Sequence, residues 1–179
     1  MPARELRRRL AWATAAALLL SVLLAACGSK SAPDPDPGNG PVTWSSLAAV
    51  VADHAGKPRS SKPYENRAFG PQGTGTEVDY RDGGSVTLVV GRHAWADAPD
   101  CADPPPYAPG CARVNGLVLV WAKEEPEEDP GVIHLYLEKD GAGVLLSYAG
   151  PSITGDPRKQ DLPIDVDTLE DIVRDPRVH

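Results

Sequence analysis

Beyond residue 26 the sequence has no apolar run near the roughly 17 residues that the shortest spanning helix needs, so no later segment is expected to cross a bilayer. Several catalytic signatures are missing too. There is no G-x-S-x-G elbow to raise a serine nucleophile. There is no P-loop or G-x-G-x-x-G to cradle phosphates, and no H-E-x-x-H to hold zinc. Positive charge is scarce, with 18 Lys and Arg against 25 Asp and Glu and a formal net charge of −7. Arg4, Arg7, Arg8, Arg9 and Glu5 all precede residue 27, so 14 basic and 24 acidic residues follow them, a balance of about −10. Nucleic acid needs clustered Lys and Arg, and an anionic lipid surface would repel such a chain, so neither is an expected partner. No internal repeat is visible.

What is present begins with "MPARELRRRL" and an uncharged apolar stretch over residues 10–26. These are the n-region and h-region of a signal peptide. The next residues, Leu24-Ala25-Ala26-Cys27, resemble the lipobox of bacterial lipoproteins. The resemblance implies that Cys27 is thioether-linked to diacylglycerol, with acyl chains such as palmitate, and that the chain is then cleaved before it. The membrane is then the expected partner, held through a lipid anchor at Cys27 on the extracytoplasmic side. Two or more chains, at about 0.8 kcal/mol per buried methylene, keep a protein on a bilayer for long times. An ordinary signal peptide with an incidental cysteine, or an uncleaved anchor helix, is the alternative.

The chain divides by composition into a signal peptide (1–26), a tether (27–42) and one α+β domain (43–179). The tether, "CGSKSAPDPDPGNGPV", has almost nothing to bury and reads as disordered. In "TWSSLAAVVADHAG", Leu47, Val50, Val51 and His54 share one helical face, with Thr43 or Ser45 as cap and Gly56 as terminator. Residues 57–75 read as loop, with at most a short strand near Phe69. Then β patterns follow: residues 77–80, a "RDGG" turn, "SVTLVVGRH", one long strand over 114–123, and a hairpin over 131–149. Residues 117–121 are apolar on both faces, which suits a central strand covered on both sides. The alternation in "VIHLYLEK" puts His134, Tyr136 and Glu138 on the outward face. A short helix ends the chain, with Asp167 and Glu170 spaced as a capping box and Pro176 as a stop. The expected core is Leu47, Val50, Val51, Leu88, Val90, Leu117, Leu119, Trp121, Ile133, Leu135, Leu137, Leu146, Leu169, Ile172 and Val173.

The stretches "SSLAAVVADHAG", "GGSVTLVVGRH", Cys101 and Cys111, "LEKDGAGVLLSYAG" and "LPIDVDTLEDIVRDPRV" together resemble a group of small actinobacterial lipoproteins of uncharacterised function. That resemblance implies a helix, an antiparallel meander with a cysteine pair between two central strands, and a short closing helix. The expected fold is α+β: an antiparallel sheet of four to five strands with an N-terminal and a short C-terminal helix packed on it. No activity comes with the resemblance.

Chemistry-bearing residues are few. Cys101 and Cys111 enclose "ADPPPYAPG", too long for a redox C-x-x-C, and in a secreted chain an even pair reads as a disulfide. Zinc with two thiolates uses closer spacing. The acidic run over 124–129 lacks the interleaved glycine of a calcium loop and reads as a solvated hairpin tip. No metal or other cofactor is expected. His54 reads as a packed helix residue, while His93 and His134 are the candidates for acid–base work. The preferred reading is a lipid-anchored binding or interaction module, not an enzyme, with Trp95 and Tyr107 as contact surface and an unknown protein or small molecule as partner. The rivals are a cell-envelope hydrolase or transferase using His93 or His134, and an accessory or sensory subunit of a membrane complex.

Overall fold

The computed structural model describes residues 41–67, 71–92, 94, 99–125, 129–139 and 142–179. Cys27, the signal peptide and nearly all of the tether lie outside these residues, as do Phe69, His93 and Trp95.

Helix α1 (Trp44–Ala55) starts where expected. Thr43 is its N-cap: its hydroxyl accepts from the Ser46 N–H at 3.1 Å, and its own N–H donates to the Ser46 hydroxyl at 3.0 Å, a reciprocal box. Gly56, at φ +84°, ends it in a backbone region that glycine enters at least cost. Leu47, Val50 and Val51 are fully buried. His54 is a correction in one respect: it carries a hydrogen bond, its Nε2 2.9 Å from Asp175, but it is exposed and not packed into the apolar face.

Seven strands form one antiparallel sheet: β1 (Ser60–Pro63), β2 (Thr74–Asp79), β3 (Ser85–Gly91), β4 (Gly110–Val114), β5 (Leu117–Ala122), β6 (Gly131–Lys139) and β7 (Ala142–Gly150). Their order is β1-β2-β3-β7-β6-β5-β4. The α+β class and the two helices are as expected, but the strand number is seven, not four to five, and the sheet is two meanders joined at β3 and β7. Two causes account for the difference. Strand β1, "SSKP", is exposed at all four residues and has no apolar pattern; pairing with β2 alone makes it a strand, and a terminal edge position tolerates Pro63. The stretch read as one strand over 114–123 turns at Asn115 (φ +49°) and Gly116 (φ +83°), the two positive-φ positions of a tight hairpin turn, so it holds β5 and only the last residue of β4, whose first four residues were not read as strand. Strand β5 is therefore second from the edge, not central, although both its faces are covered.

Three registered rows face the helices. Leu88, Leu146, Leu135 and Leu119 lie side by side, flanked by Val86, Tyr148, Ile133 and Trp121 on one side and by Val90, Val144, Leu137 and Leu117 on the other. They pack with α1 and α2 into the main core. Twelve of the fifteen expected core residues are fully buried there; Val90, Trp121 and Leu137 are only half-buried at its rim.

Helix α2 (Val166–Arg174) is capped by Asp165, not by Asp167: the Asp165 carboxylate accepts from the Thr168 N–H at 2.8 Å. This start brings Val166 into the buried face with Leu169, Ile172 and Val173, which a start at Asp167 would forfeit. Glu170 accepts from the Asn115 amide at 3.2 Å instead of reaching back to a cap. Pro176 ends the helix as expected and opens a single 3₁₀ turn, Pro176–Val178. No described helix is long and apolar enough to cross a membrane.

Candidate functional site

Because β3 and β4 are separated by three strands, the chain between them must cross the sheet. Its described second half, residues 99–109, lies on the face opposite the helices and covers β5 and β6. Ala108 is fully buried there against Val118, Val120, Tyr136 and Leu145. A disulfide joins Cys101 to Cys111 with the Cα atoms 5.2 Å apart, tying the crossing segment to the edge strand β4. The segment then has little freedom: four of residues 102–109 are proline.

Between these ties the chain turns. The Ala108 N–H donates to the Pro105 carbonyl at 2.9 Å, so Pro106 and Tyr107 take the two corner positions of a β-turn. Pro106 is exposed. Tyr107 is 61% exposed, while its neighbour Ala108 is 0% exposed. The Tyr107 ring is not loose, because it stands edge-on to His134 with centroids 6.4 Å apart at 85°.

His134 belongs to a row across this face that runs Cys111, Val120, His134, Ser147, Thr87, Glu77 and Lys62 from edge to edge. Its Nδ1 and the Ser147 hydroxyl are 2.6 Å apart. Tyr136, one step along β6, tilts toward it with centroids 6.3 Å apart. Burial disfavours the imidazolium and pulls His134 down to about 4, so the ring is neutral at pH 7. Burial raises the Tyr136 phenol, and the neighbouring Tyr107, to which it is hydrogen-bonded, raises it further. His134 and Tyr136 are therefore both uncharged at neutral pH.

The expected outward face of His134 and Tyr136 is the face found, and the covering loop is the disulfide segment. Sequence reasoning missed Ser147 and the Tyr107/Tyr136 contact. The signal for Ser147 was present, since a two-residue connection between Lys139 and Ala142 sets a register in which His134 faces Ser147. The Tyr107 contact depends on where a long crossing loop settles, which no periodicity encodes. Trp95 and His93 lie outside the described residues, and Tyr107 is the described member of the expected contact surface.

The 2.6 Å pair has the components of a nucleophile and its base, which need mutual reach of this order. Two features oppose hydrolysis. A base held near 4 is weak at pH 7. Strand β7 is paired on both sides, so the peptide N–H groups around Ser147 are committed to the ladders and not gathered as oxyanion donors.

Elsewhere, two clefts lie along the β1 edge. One of about 220 Å³ is lined by Lys62, Pro63, Glu65, Asn66, Arg67 and Glu77, and a broader one of about 600 Å³ opens near Arg59, Asp79 and Tyr80. Neither lining contains a histidine or a cysteine. Among the described residues no group of three or more His, Cys, Asp or Glu could hold a metal ion. Of the acidic run, Glu124 accepts from the Ser152 N–H at 2.7 Å and so braces the end of the β6–β7 hairpin. No protein-family model, curated protein or solved structure matches the chain.

Proposed function

We propose that this chain is a lipoprotein of the extracytoplasmic cell surface, anchored through Cys27, whose folded domain is a binding module that meets its partner through the disulfide-tied turn at Tyr107. The observation that carries the reading is the contrast within that turn. A large aromatic side chain is kept 61% exposed while the next residue is fully buried. Exposed aromatics held by a rigid frame are the residues that anchor interfaces, and a pre-ordered loop lowers the ordering cost of binding. The lipobox-like end of the apolar run and the resemblance to small actinobacterial lipoproteins support the address. The charge of about −10 after residue 26 favours a body standing off an anionic membrane.

Two measurements test it. Cys27→Ala is expected to leave the precursor unprocessed or to release the protein from membranes; an unmodified Cys27 by mass spectrometry would refute the anchor. Tyr107→Ala is expected to stay folded, with a somewhat lower melting temperature from the lost contacts to His134 and Tyr136, and to lower capture of the partner about ten-fold or more. Full retention of capture by that variant would remove the turn from the interface.

A second reading, a cell-envelope hydrolase, draws on the 2.6 Å contact between His134 and Ser147. Fluorophosphonate labelling decides between the two. Labelling of Ser147 that disappears in His134→Gln would favour the hydrolase, and an inert Ser147 would remove it.

A further inference from the structure

The tied turn also specifies what can meet it. Resting on the binding-module reading, we propose that residues 104–107, "PPPY", form a knob that inserts into an aromatic-lined groove with a basic rim on a partner protein. Three features of the segment argue for that chemistry.

The first is a shortage of donors. Prolines at 104, 105, 106 and 109 leave residues 102–109 with four peptide N–H groups. Three of these donate within the loop: Ala102 to the Asp100 carboxylate at 3.1 Å, Asp103 to the Asp100 carbonyl at 3.0 Å, and Ala108 to the Pro105 carbonyl at 2.9 Å. A partner must therefore supply the donors itself. The second is shape. Pro106 and Tyr107 sit at the corners of a turn whose next residue is locked into the sheet, so the exposed surface is ring faces of fixed orientation. Proline and tyrosine rings held on a turn, with few donors beside them, present flat apolar faces and carbonyl acceptors, which suit a pocket lined by aromatic rings whose indole N–H and phenol O–H groups can donate. The third is charge. Asp100 and Asp103 flank the knob and are exposed, and the one described cation paired with either, Arg113, lies 3.8 Å from Asp100 with both side chains largely in solvent, a contact worth little. The local field is negative, as is the molecule, and a complementary rim is basic.

The test uses the full-length lipidated protein in membranes of the producing cell, with photoreactive p-benzoylphenylalanine substituted for Tyr107, or for Trp44 as the control. Trp44 is the other described large apolar side chain with substantial exposure, at 39%. Cross-linked peptides are sequenced by mass spectrometry. The expected result is a cross-link from position 107, and not from position 44, to a protein segment containing Trp or Tyr with Lys or Arg beside it. Asp103→Lys in the same background is expected to reduce the initial cross-linking rate about three-fold or more at low salt, with an unchanged melting temperature, because a reversed rim charge slows encounter. A cross-link from position 107 to a glycan, to lipid, or to a protein segment without aromatics overturns the groove while leaving the binding-module reading in place. A yield at 107 no higher than at 44 overturns both. An Asp103→Lys rate equal to or above the parent's overturns the basic rim.

Discussion

His134 and Leu135 are neighbours in β6 that face opposite sides of the sheet, and the difference between them sets what each can reveal. Leu135 is fully buried in the middle row of the main core. Leu135→Ala should cost about 2–5 kcal/mol, the range for removing a branched side chain from a site that cannot collapse around the void. Val90→Ala, at the half-buried rim, should cost less than half of that, and equal shifts in denaturation midpoint would show that the rim was misjudged. This difference was only partly legible in the sequence. Alternation gave each strand an inward face, and six expected strand residues, Leu88, Leu117, Leu119, Ile133, Leu135 and Leu146, are fully buried on it. The rim positions could not be separated from the centre, because burial there depends on strand order, and strand order is set by two long connections. On the second face the apolar run over 117–121 already signalled cover for Val118 and Val120, whereas Leu145 and the loop that buries it were missed for a related reason. Val118, Val120, Tyr136 and Leu145 point away from the helices, and only a covering loop buries them.

At the scale of elements, strong local signals placed α1, β3, the β6–β7 hairpin and α2, while weak ones lost β1 and the β4–β5 turn. Asn115-Gly116 is a hairpin signal in itself, but it lay inside a run apolar enough to read as continuous. The start of α2 turned on the same competition between a local pattern and packing. Asp167 and Glu170 have capping-box spacing, yet the helix begins two residues earlier, since burying Val166 adds to the apolar face and Asp165 can cap from there. Asp165→Ala is therefore expected to cost about 1 kcal/mol, and Asp167→Ala only a few tenths, from its first-turn position near the helix dipole. Urea denaturation of the two variants checks the assignment, and the reverse ranking would restore Asp167 as the cap. The disulfide acts at this scale as well. Closing the segment from Cys101 to Cys111 is worth roughly 2.8 kcal/mol on the chain-entropy model, less here because four prolines have already stiffened the unfolded loop.

Across the whole molecule, two ionisable sites lie in different layers and should lose their contributions in different pH windows. On the helix layer, Asp175 closes the fold: it accepts two hydrogen bonds from the Arg177 guanidinium, at 2.9 and 2.8 Å, and lies 2.9 Å from the His54 ring of α1, while Arg177 also reaches Asp53 at 2.7 Å. These bonds, Arg177's above all, hold the Asp175 carboxyl well below its ordinary value. A carboxyl depressed in the folded state stabilises the fold above its ordinary value of 3.8, and that contribution is lost as pH falls below it. On the opposite layer, His134 is depressed from 6.5 to about 4 by burial. Between those values the unfolded chain takes up a proton that the folded chain does not, so stability falls as pH drops from 6.5 toward 4, by at most about 3 kcal/mol. A stability profile from urea titrations is expected to descend in two stages, one between pH 6.5 and 4 and one below pH 4. His134→Gln, which keeps a hydrogen-bonding partner for Ser147 without titrating, should flatten the upper stage and leave the lower one. Asp175→Asn should lower stability at pH 7 and shrink the lower stage, with the upper stage intact. The two substitutions should add, because the sheet lies between the sites and they share no partner. A His134→Gln profile that still falls between pH 6.5 and 4 would place the titrating group elsewhere and would mean that the crossing segment does not keep His134 dry.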